Sequence, residues 1–380
     1  MIDRQTNSYE AHQLTGGPML HTGIDLHRRI IVVCTVNDSG TVIARARLKT
    51  EPDAITTYFG QWAEHHQAAV ECTGSWYWLC DLLHSLGIVV LLAHAKYLKA
   101  ISYAKVKTDA VDAHTLAQLL RMGFVPEAHQ MPAAYRAMRD LLRQRMVMEH
   151  KRTNFLQRIS SILAQFNITD LPVSPSQSGF ADVLKECAIP EQYRITLLMY
   201  HQQCLLATEH RKQLESYFKT RLRPTPTLQR LLSIPGIGDI TGSIIAMEIG
   251  DIRRFANAKH FSSYCRLAPG SRDSGGKFLH RSGSKDGNQY LKYAFTEAAI
   301  KAIMFYPEIR SFAGRLEHRT NKTIARTVVA KELAKIVYYV LTREEQFATF
   351  KGITIAKLLD WPRARKPLRL TGESNSTPNV

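Results

Sequence analysis

The chain changes its pattern at Met131-Pro132, and this change limits what it can fold into. Before that point, short segments rich in β-branched residues alternate with segments of helical periodicity, which is typical of a mixed sheet with helices on its faces. After it, residues 133–166 keep a single helical periodicity, with apolar residues recurring every three or four positions. The pattern predicts an α/β domain followed by a mostly helical region that opens with a long helix.

The α/β region begins with a predicted β-hairpin. Residues 23–36 are rich in β-branched side chains, residues 37–40 are a turn signal, and residues 41–49 alternate apolar with basic side chains. Further helices and strands then alternate, with helices at residues 53–66 and 75–86 and strands at 68–73 and 88–93. A last helix of this region carries Asp109 and Asp112.

The helical region has two internal breaks. Residues 171–179 interrupt the long helix and a return helix follows over residues 190–223, so we expect a coiled-coil arm that could also serve dimerisation. A Gly/Ser-rich loop at residues 269–287 interrupts the helices that come after the arm. The predicted segments are a flexible leader (1–18), the α/β domain (19–132), the arm (133–226), a C-terminal domain (227–350) and a basic flexible tail (351–380).

The charge of the chain indicates a polyanionic partner. Fifty Lys and Arg residues against 33 Asp and Glu give a formal charge of +17, which favours nucleic acid. Neither a spanning apolar segment nor the apolar core of a signal peptide is present, so we expect a cytoplasmic protein without a membrane partner. The six cysteines form no C-x-x-C pair, which favours reduced thiols over structural zinc.

Four carboxylates form the candidate catalytic site. Asp25 lies in an apolar strand, Glu71 ends a later strand, and Asp109 and Asp112 are one helical turn apart. Burying ionised carboxylates is costly unless cations compensate them, so a shared cluster holding two Mg²⁺ ions roughly 4 Å apart would explain all four. The alternatives are a solvated or capping pair of helical aspartates, a hydrogen-bonded strand aspartate, and a glutamate paired with lysine. For the neighbouring His27, hydrogen bonding is favoured over ligation.

The C-terminal region offers candidate nucleic-acid contacts. Residues 231–241 read as a helix-hairpin-helix, in which Gly236 and Gly238 would let backbone amides approach a phosphate, although an ordinary helical corner is the alternative. The loop after it combines glycines, serines and cations, and its residue chemistry favours phosphate binding by Ser274 over nucleophilic attack. The basic candidates in this loop and on the arm, where a solvated face is the alternative, are Arg272, Lys277, Arg281, Lys285, Arg143 and Arg152.

These motifs resemble a known family when they are taken together. They occur in the order Gly23-Ile24-Asp25, Val70-Glu71-x-Thr73-Gly74, Lys107-Thr108-Asp109-x-x-Asp112-Ala113, Ile234-Pro235-Gly236-Ile237-Gly238 and Asp273-Ser274-Gly275-Gly276-Lys277. The set is similar to the DEDD transposases of bacterial insertion sequences, the one-ten family, and the Ser-Gly-Gly-Lys loop resembles its eleven-eleven branch. Gly242 stands where a small helix former is common.

The resemblance implies an RNase H-like (RuvC-like) domain, a coiled-coil arm and a C-terminal transposase domain with a helix-hairpin-helix. It makes Asp25, Glu71, Asp109 and Asp112 ligands of Mg²⁺, with Mn²⁺ as a substitute, and Ser274 the nucleophile that links covalently to DNA. The implied partners are donor and target DNA, a structured guide (bridge) RNA from the element itself, and other copies of the chain, as a dimer that assembles into a tetramer at the nucleoid. Two alternatives remain, a RuvC-like nuclease or Holliday-junction resolvase that activates water, and a non-catalytic nucleic-acid-binding protein.

Overall fold

The structure is a computed structural model, and it describes residues 19–62, 65–72, 74–101, 108–222, 225–268, 272–274, 277–279 and 286–347. The predicted leader at residues 1–18 and the predicted tail at residues 351–380 lie outside the described residues. The chain divides into two compact units, residues 1–133 and residues 134–380. Each unit has its own apolar core.

The first unit is built on a five-stranded mixed sheet, as predicted. The strands are β1 (Met19–Leu26), β2 (Ile30–Val36), β3 (Val42–Lys49), β4 (His65–Glu71) and β5 (Val89–Ala93). They lie in the order β3-β2-β1-β4-β5; β2 is antiparallel to both neighbours, whereas β4 is parallel to β1 and to β5. The carboxyl ends of the neighbouring strands β1 and β4 therefore lie side by side at the same end of the sheet.

Helices cover both faces of this sheet. They are α1 (Pro52–Phe59), α2 (Trp76–Ser85), α3 (Ala95–Ile101) and α4 (Asp109–Arg121). The face that α1 and α2 cover has an apolar core that includes Ile24, Val33 and Leu79. On the opposite face, α4 packs Ala113 and Ala117 against β2.

Two sequence predictions for this unit were wrong in detail, and one helix was missed. The predicted strand at residues 23–36 is two strands, because the chain reverses after Leu26 and the His27 amide donates to the Ile30 carbonyl. The predicted helix at residues 53–66 ends at Phe59, and residues 65 and 66 already belong to β4. The short helix α3 was not predicted.

The second unit is mostly helical in its described part. Its elements are α5 (Ala133–Gln165), α6 (Phe180–Glu186), α7 (Glu191–Arg221), α8 (Pro226–Leu232), α9 (Asp239–Ile249), a 3₁₀ turn (Ile252–Arg254), α10 (Ala258–Tyr264), β6 (Arg272–Ser274), β7 (Lys277–Leu279), α11 (Gln289–Phe305), α12 (Pro307–Arg319) and α13 (Lys322–Arg343). The predicted Gly/Ser-rich loop thus contains a short hairpin, β6–β7.

The long helices α5 and α7 match the two helices predicted for the arm. Arg145 of α5 donates to Glu215 of α7, and Arg211 of α7 forms an ion pair with Glu149 of α5. Further along, Ile159 of α5 shares an apolar cluster with α6 and with the start of α7. Among the described helices, none is long and apolar enough to span a membrane.

Candidate active site

Gly23 determines how the helix α4 meets the sheet. A Cβ atom at this position would lie 2.1 Å from the Ala113 carbonyl oxygen and 2.4 Å from the Ala117 amide nitrogen. Since both atoms belong to the helix backbone, only glycine lets α4 lie directly against β1. Side chains alternate along a strand, so Asp25 is on the same face of β1 as Gly23, the face that α4 covers.

Asp25 meets the first turn of α4 at this contact. One carboxylate oxygen of Asp25, one of Asp109 and a ring nitrogen of His27 all lie within 4.8 Å of one another. His27 Nε2 is 3.1 Å from Asp25 Oδ2 and 3.5 Å from Asp109 Oδ1. The hydrogen bond between His27 and Asp25 agrees with the role that the sequence favoured for this histidine.

The environment of Asp25 disfavours its charge. Burial is the main cause that raises the pKa of Asp25 above its ordinary value, and the carboxylates of Asp109 and Asp112 raise it further, while His27 acts in the opposite direction. Only 14% of the Asp25 side chain is exposed, against 46% for Asp109. Asp25 is therefore a largely buried acid that faces two other acids.

Glu71 occupies the neighbouring strand end. The register pairs Ile24 of β1 with Val70 of β4, so Asp25 and Glu71 are the next residues on adjacent parallel strands. Gly23 pairs with Ala69, which puts Glu71 on the same face of the sheet as Asp25.

The four predicted ligands are thus gathered to different degrees. Carboxylate oxygens of Asp25 and Asp109 lie within 4.8 Å of each other beside His27. Asp112 lies three residues further along the first turn of α4 and acts on Asp25 through its charge, and Glu71 follows the residue of β4 that pairs with Ile24. Within the described residues, the group of atoms within 4.8 Å includes neither Glu71 nor Asp112. The ligand roles of these four residues stay a prediction.

The donor set fits a hard divalent cation. Carboxylate oxygens are the ligands that Mg²⁺ prefers, and the mutual repulsion of the acids is the force that a cation would relieve. His27 adds a nitrogen at the same place. The sequence signal that could have included it in the cluster is its position two residues after Asp25.

The predicted helix-hairpin-helix glycines have structural roles. Gly236 has φ +84°, and a Cβ atom there would lie 2.2 Å from the Ala298 carbonyl oxygen, so glycine lets the turn between α8 and α9 pack on α11. The Gly238 amide donates to Thr241 Oγ1 at the start of α9. These contacts agree with a helical corner, and phosphate binding by the two glycines stays a prediction.

Arg143 and Arg152 on the arm form ion pairs within the unit. Arg143 donates to both carboxylate oxygens of Glu248, at 2.6 and 2.8 Å, and its guanidinium lies 4.2 Å from the centre of the Tyr290 ring. Arg152 donates to Glu149, one helical turn away. Both side chains therefore stabilise the fold, and their contact with nucleic acid stays a prediction.

The remaining site predictions concern the hairpin β6–β7 and the residues after it. Ser274 ends β6 and pairs with Lys277 at the start of β7, and Arg272 begins β6. Arg281 and Lys285 lie outside the described residues. The hairpin belongs to the second unit and the acid cluster to the first. The nucleophilic role of Ser274 stays a prediction.

Comparison with protein families identifies both units. Residues 22–168 match the DEDD transposase model of the IS110 type, and residues 228–313 match the model described as the transposase IS116/IS110/IS902 family. The two matches together span more than half of the chain. The chain belongs to the IS110/IS116/IS902 family of transposases. Its mixed sheet is consistent with the RNase H-like fold expected of the DEDD domain.

Relatives of this transposase act in insertion elements and in gene inversion. A probable family 20 transposase of Pseudomonas aeruginosa is 25% identical over 85% of the chain and 96% of the relative. The transposase of insertion element IS1111A from Coxiella burnetii is 23% identical over 86% of the chain and 90% of the relative. A pilin gene-inverting protein of Moraxella bovis is 33% identical over 36% of the chain and 44% of the relative.

These findings establish the class of enzyme. The chain is a DNA transposase of an insertion sequence, and it acts on DNA as a recombinase. DEDD transposases generally use a divalent metal, and the acids around Asp25 are the candidate group for holding it.

Proposed function

We propose that this transposase recombines donor and target DNA under the guidance of a structured RNA from its own element, with Ser274 as the nucleophile. Asp25, Glu71, Asp109 and Asp112 would hold Mg²⁺, with Mn²⁺ as a substitute. The observation that carries the proposal is the meeting of Asp25 and Asp109 at the carboxyl end of β1, where burial and repulsion raise the pKa of Asp25.

The acids are well placed to hold a cation in a fixed position. Asp25 and Glu71 come from the ends of two hydrogen-bonded strands, and Asp109 and Asp112 come from the first turn of a helix that contacts the same sheet face. Magnesium bound there would neutralise the carboxylates and polarise the oxygens of a phosphodiester. The carboxylates would fix the position of that cation, and through it the position of the reacting phosphate.

Ser274 would carry out the exchange without an external energy source. Its hydroxyl oxygen forms a bond to phosphorus, the bond from phosphorus to one deoxyribose oxygen breaks, and the serine proton passes to that leaving oxygen. A hydroxyl oxygen of the partner strand then forms a bond to the serine-linked phosphorus, the bond from phosphorus to the serine oxygen breaks, and the proton of that hydroxyl passes to the serine. The position of Ser274 beside Lys277 in the hairpin supports a phosphate contact, and the family resemblance supports the nucleophilic role.

The experiment for the serine mechanism is the capture of a covalent adduct. The full chain is incubated with element RNA, donor DNA, target DNA and Mg²⁺, and the products are separated on a denaturing gel. We expect a protein-DNA adduct for the wild type and none for Ser274→Ala. Ser263→Ala, an exposed serine of α10, is the matched control and should form the adduct normally.

The same experiment also tests the acid cluster. Asp109→Asn and Glu71→Gln should abolish the adduct, whereas Asp53→Asn, an exposed acid of α1, should not. An adduct with Ser274→Ala would contradict the serine mechanism, and nicking without any adduct would favour a RuvC-like nuclease that activates water. An adduct that Asp109→Asn forms as well as the wild type does would contradict the metal-ligand role of Asp109.

The guide RNA and the oligomer are separate parts of the proposal. The charge of +17 supports a second polyanion beside DNA, and the family resemblance supports a structured RNA and a dimer that assembles into a tetramer. We expect the adduct to require the RNA transcribed from the DNA that flanks the gene. An adduct of equal yield without RNA would contradict guidance and leave the serine chemistry intact.

A further inference from the structure

The edge strand β3 carries a row of basic side chains. Its residues alternate between half-buried and exposed positions, and the exposed ones include Arg45, Arg47 and Lys49. Because side chains alternate between the two faces of a strand, these three cations share one face. The half-buried Ala44 and Ala46 lie on the other face, against the apolar core that α1 and α2 cover.

The strand register brings this basic row to the acid cluster. Val32 of β2 pairs with Asp25 of β1 on one side and with Arg47 of β3 on the other. Paired residues share a face, so Arg47 lies on the α4 face of the sheet, as Asp25 does. Neighbouring strands are about 4.8 Å apart, which puts these two backbone positions roughly 10 Å from each other.

A groove of about 370 Å³ joins two cations of the basic row to one acid of the cluster. Arg45 and Arg47 line it from β3, Thr108 lines it at the start of α4, and Asp109 belongs both to this groove and to the acid cluster. In the described part of this unit, the ion pairs join Lys49 to Glu51 and histidines to aspartates, and neither arginine belongs to one. Two exposed guanidinium groups beside an open groove are suited to a chain of phosphates.

We infer that this groove binds the sugar-phosphate backbone of the DNA strand that is cut at the acid cluster, with Arg45 and Arg47 each on a phosphate. The inference rests on the proposed function, because it assigns the bound strand to the reacting DNA. Such contacts fix the position of a strand without reading its sequence. The groove would therefore hold the reacting strand beside Asp109 whatever its bases are.

The test is the salt dependence of DNA binding by the full chain, measured by fluorescence anisotropy with labelled single strands and duplexes. For Arg45→Gln/Arg47→Gln we expect affinity to fall about tenfold or more. The plot of log affinity against log salt should become shallower by about 1.4 on single strands and about 1.8 on duplexes, because each lost phosphate contact removes about 0.7 or 0.9.

Two further variants distinguish the positive charge of Arg45 and Arg47 from positive charge elsewhere on the protein. Lys96→Gln/Lys99→Gln removes the same charge from exposed positions of α3, which follows the opposite edge strand, and should leave the slope unchanged. Arg45→Lys/Arg47→Lys keeps the charge and should recover most of the slope. A photo-crosslinking residue at Ile43, which is 48% exposed on the same face of β3, should crosslink to DNA, whereas one at Lys99 should not.

Three results would overturn the inference. The first is an equal affinity and slope for the glutamine variant and the α3 control. The second is aggregation of the glutamine variant with unchanged DNA binding, which would mean that the arginines only protect the open edge of β3. The third is a loss of RNA binding with DNA binding kept, which would assign the groove to RNA.

The inference and the proposed function fail separately. If the wild type nicks DNA without an adduct while the glutamine variant loses DNA binding, the serine mechanism is wrong and the groove assignment stands. If the wild type forms the adduct while the glutamine variant binds DNA like the control, the groove assignment alone is wrong.

Discussion

The two units each contain a carboxylate that is largely removed from water, and the two carboxylates have opposite surroundings. Glu248 is 2% exposed and accepts two hydrogen bonds from Arg143 and one from Asn288. Asp25 is 14% exposed and faces Asp109 and Asp112, with a single histidine on the other side. The first acid is fully compensated by the fold, whereas the second is compensated only in part, by His27.

This difference separates an acid with a structural role from a candidate for a functional one. A buried charge that is fully hydrogen-bonded contributes to a fixed conformation, and it has no capacity left for a ligand. A buried charge among like charges lowers the stability of the protein. Proteins keep such an arrangement where a bound ligand, such as a cation, relieves the repulsion. The comparison therefore points to the first unit for metal chemistry.

The largest effect is expected from breaking the compensated pair. Arg143→Met leaves Glu248 buried without its cation, and we expect the free energy of unfolding to fall by about 3 kcal/mol. Chemical denaturation monitored by circular dichroism measures this change. If the variant keeps its stability but loses affinity for DNA, Arg143 is a nucleic-acid contact and the contrast between the two acids fails.

A smaller effect is expected from moving α4 away from β1. In Gly23→Ala the new methyl group meets helix backbone atoms, so α4 must shift and stability should fall by about 2 kcal/mol. The variant should also bind Mg²⁺ more weakly in isothermal titration calorimetry, although it changes no carboxylate. Gly74→Ala is the matched control, because a Cβ atom there meets no atom within 4 Å. Unchanged Mg²⁺ binding by Gly23→Ala would mean that this packing does not position the cluster.

The sequence predicted much of this architecture from local signals. Periodicity located the mixed sheet and the helix α5, which ends at Gln165 where the pattern predicted residue 166. Apolar strands containing Asp25 and Glu71 marked both residues as acids that need a partner. Local patterns carry this information because burial on a strand or helix face follows the period of that element.

Other features depend on contacts between distant residues, which local patterns do not contain. The role of Gly23 comes from a helix that follows it by about 90 residues, and the groove beside Arg47 comes from a register across three strands. The compensation of Arg143 by Glu248 joins residues 105 positions apart, so the sequence presented Arg143 only as part of a basic face. The division of the predicted site between two units likewise follows from the fold.

The smallest effect is expected from neutralising Asp25, the partly compensated acid. Asp25→Asn removes a charge that burial and two acids disfavour, so the metal-free variant should be more stable than the wild type at neutral pH by about 1 kcal/mol. Magnesium should stabilise the wild type and not the variant, so that with magnesium the wild type becomes the more stable of the two. A metal-free variant that is less stable than the wild type would mean that Asp25 is fully compensated after all.

The pH dependence of the stability difference between the wild type and Asp25→Asn identifies the cause of that difference. The pKa of Asp25 is raised in the folded protein, so the folded state takes up the proton at a higher pH than the unfolded state, whose value is about 3.8. The cost of the charge is therefore absent below that value, grows as pH rises from it to the raised pKa, and is complete above the raised pKa. Denaturation of wild type and Asp25→Asn in EDTA should show their stabilities converging as pH falls towards 3.8, because contributions of groups such as Asp38 cancel in the difference. A difference that stays constant with pH would come from packing of the new amide and not from the lost charge.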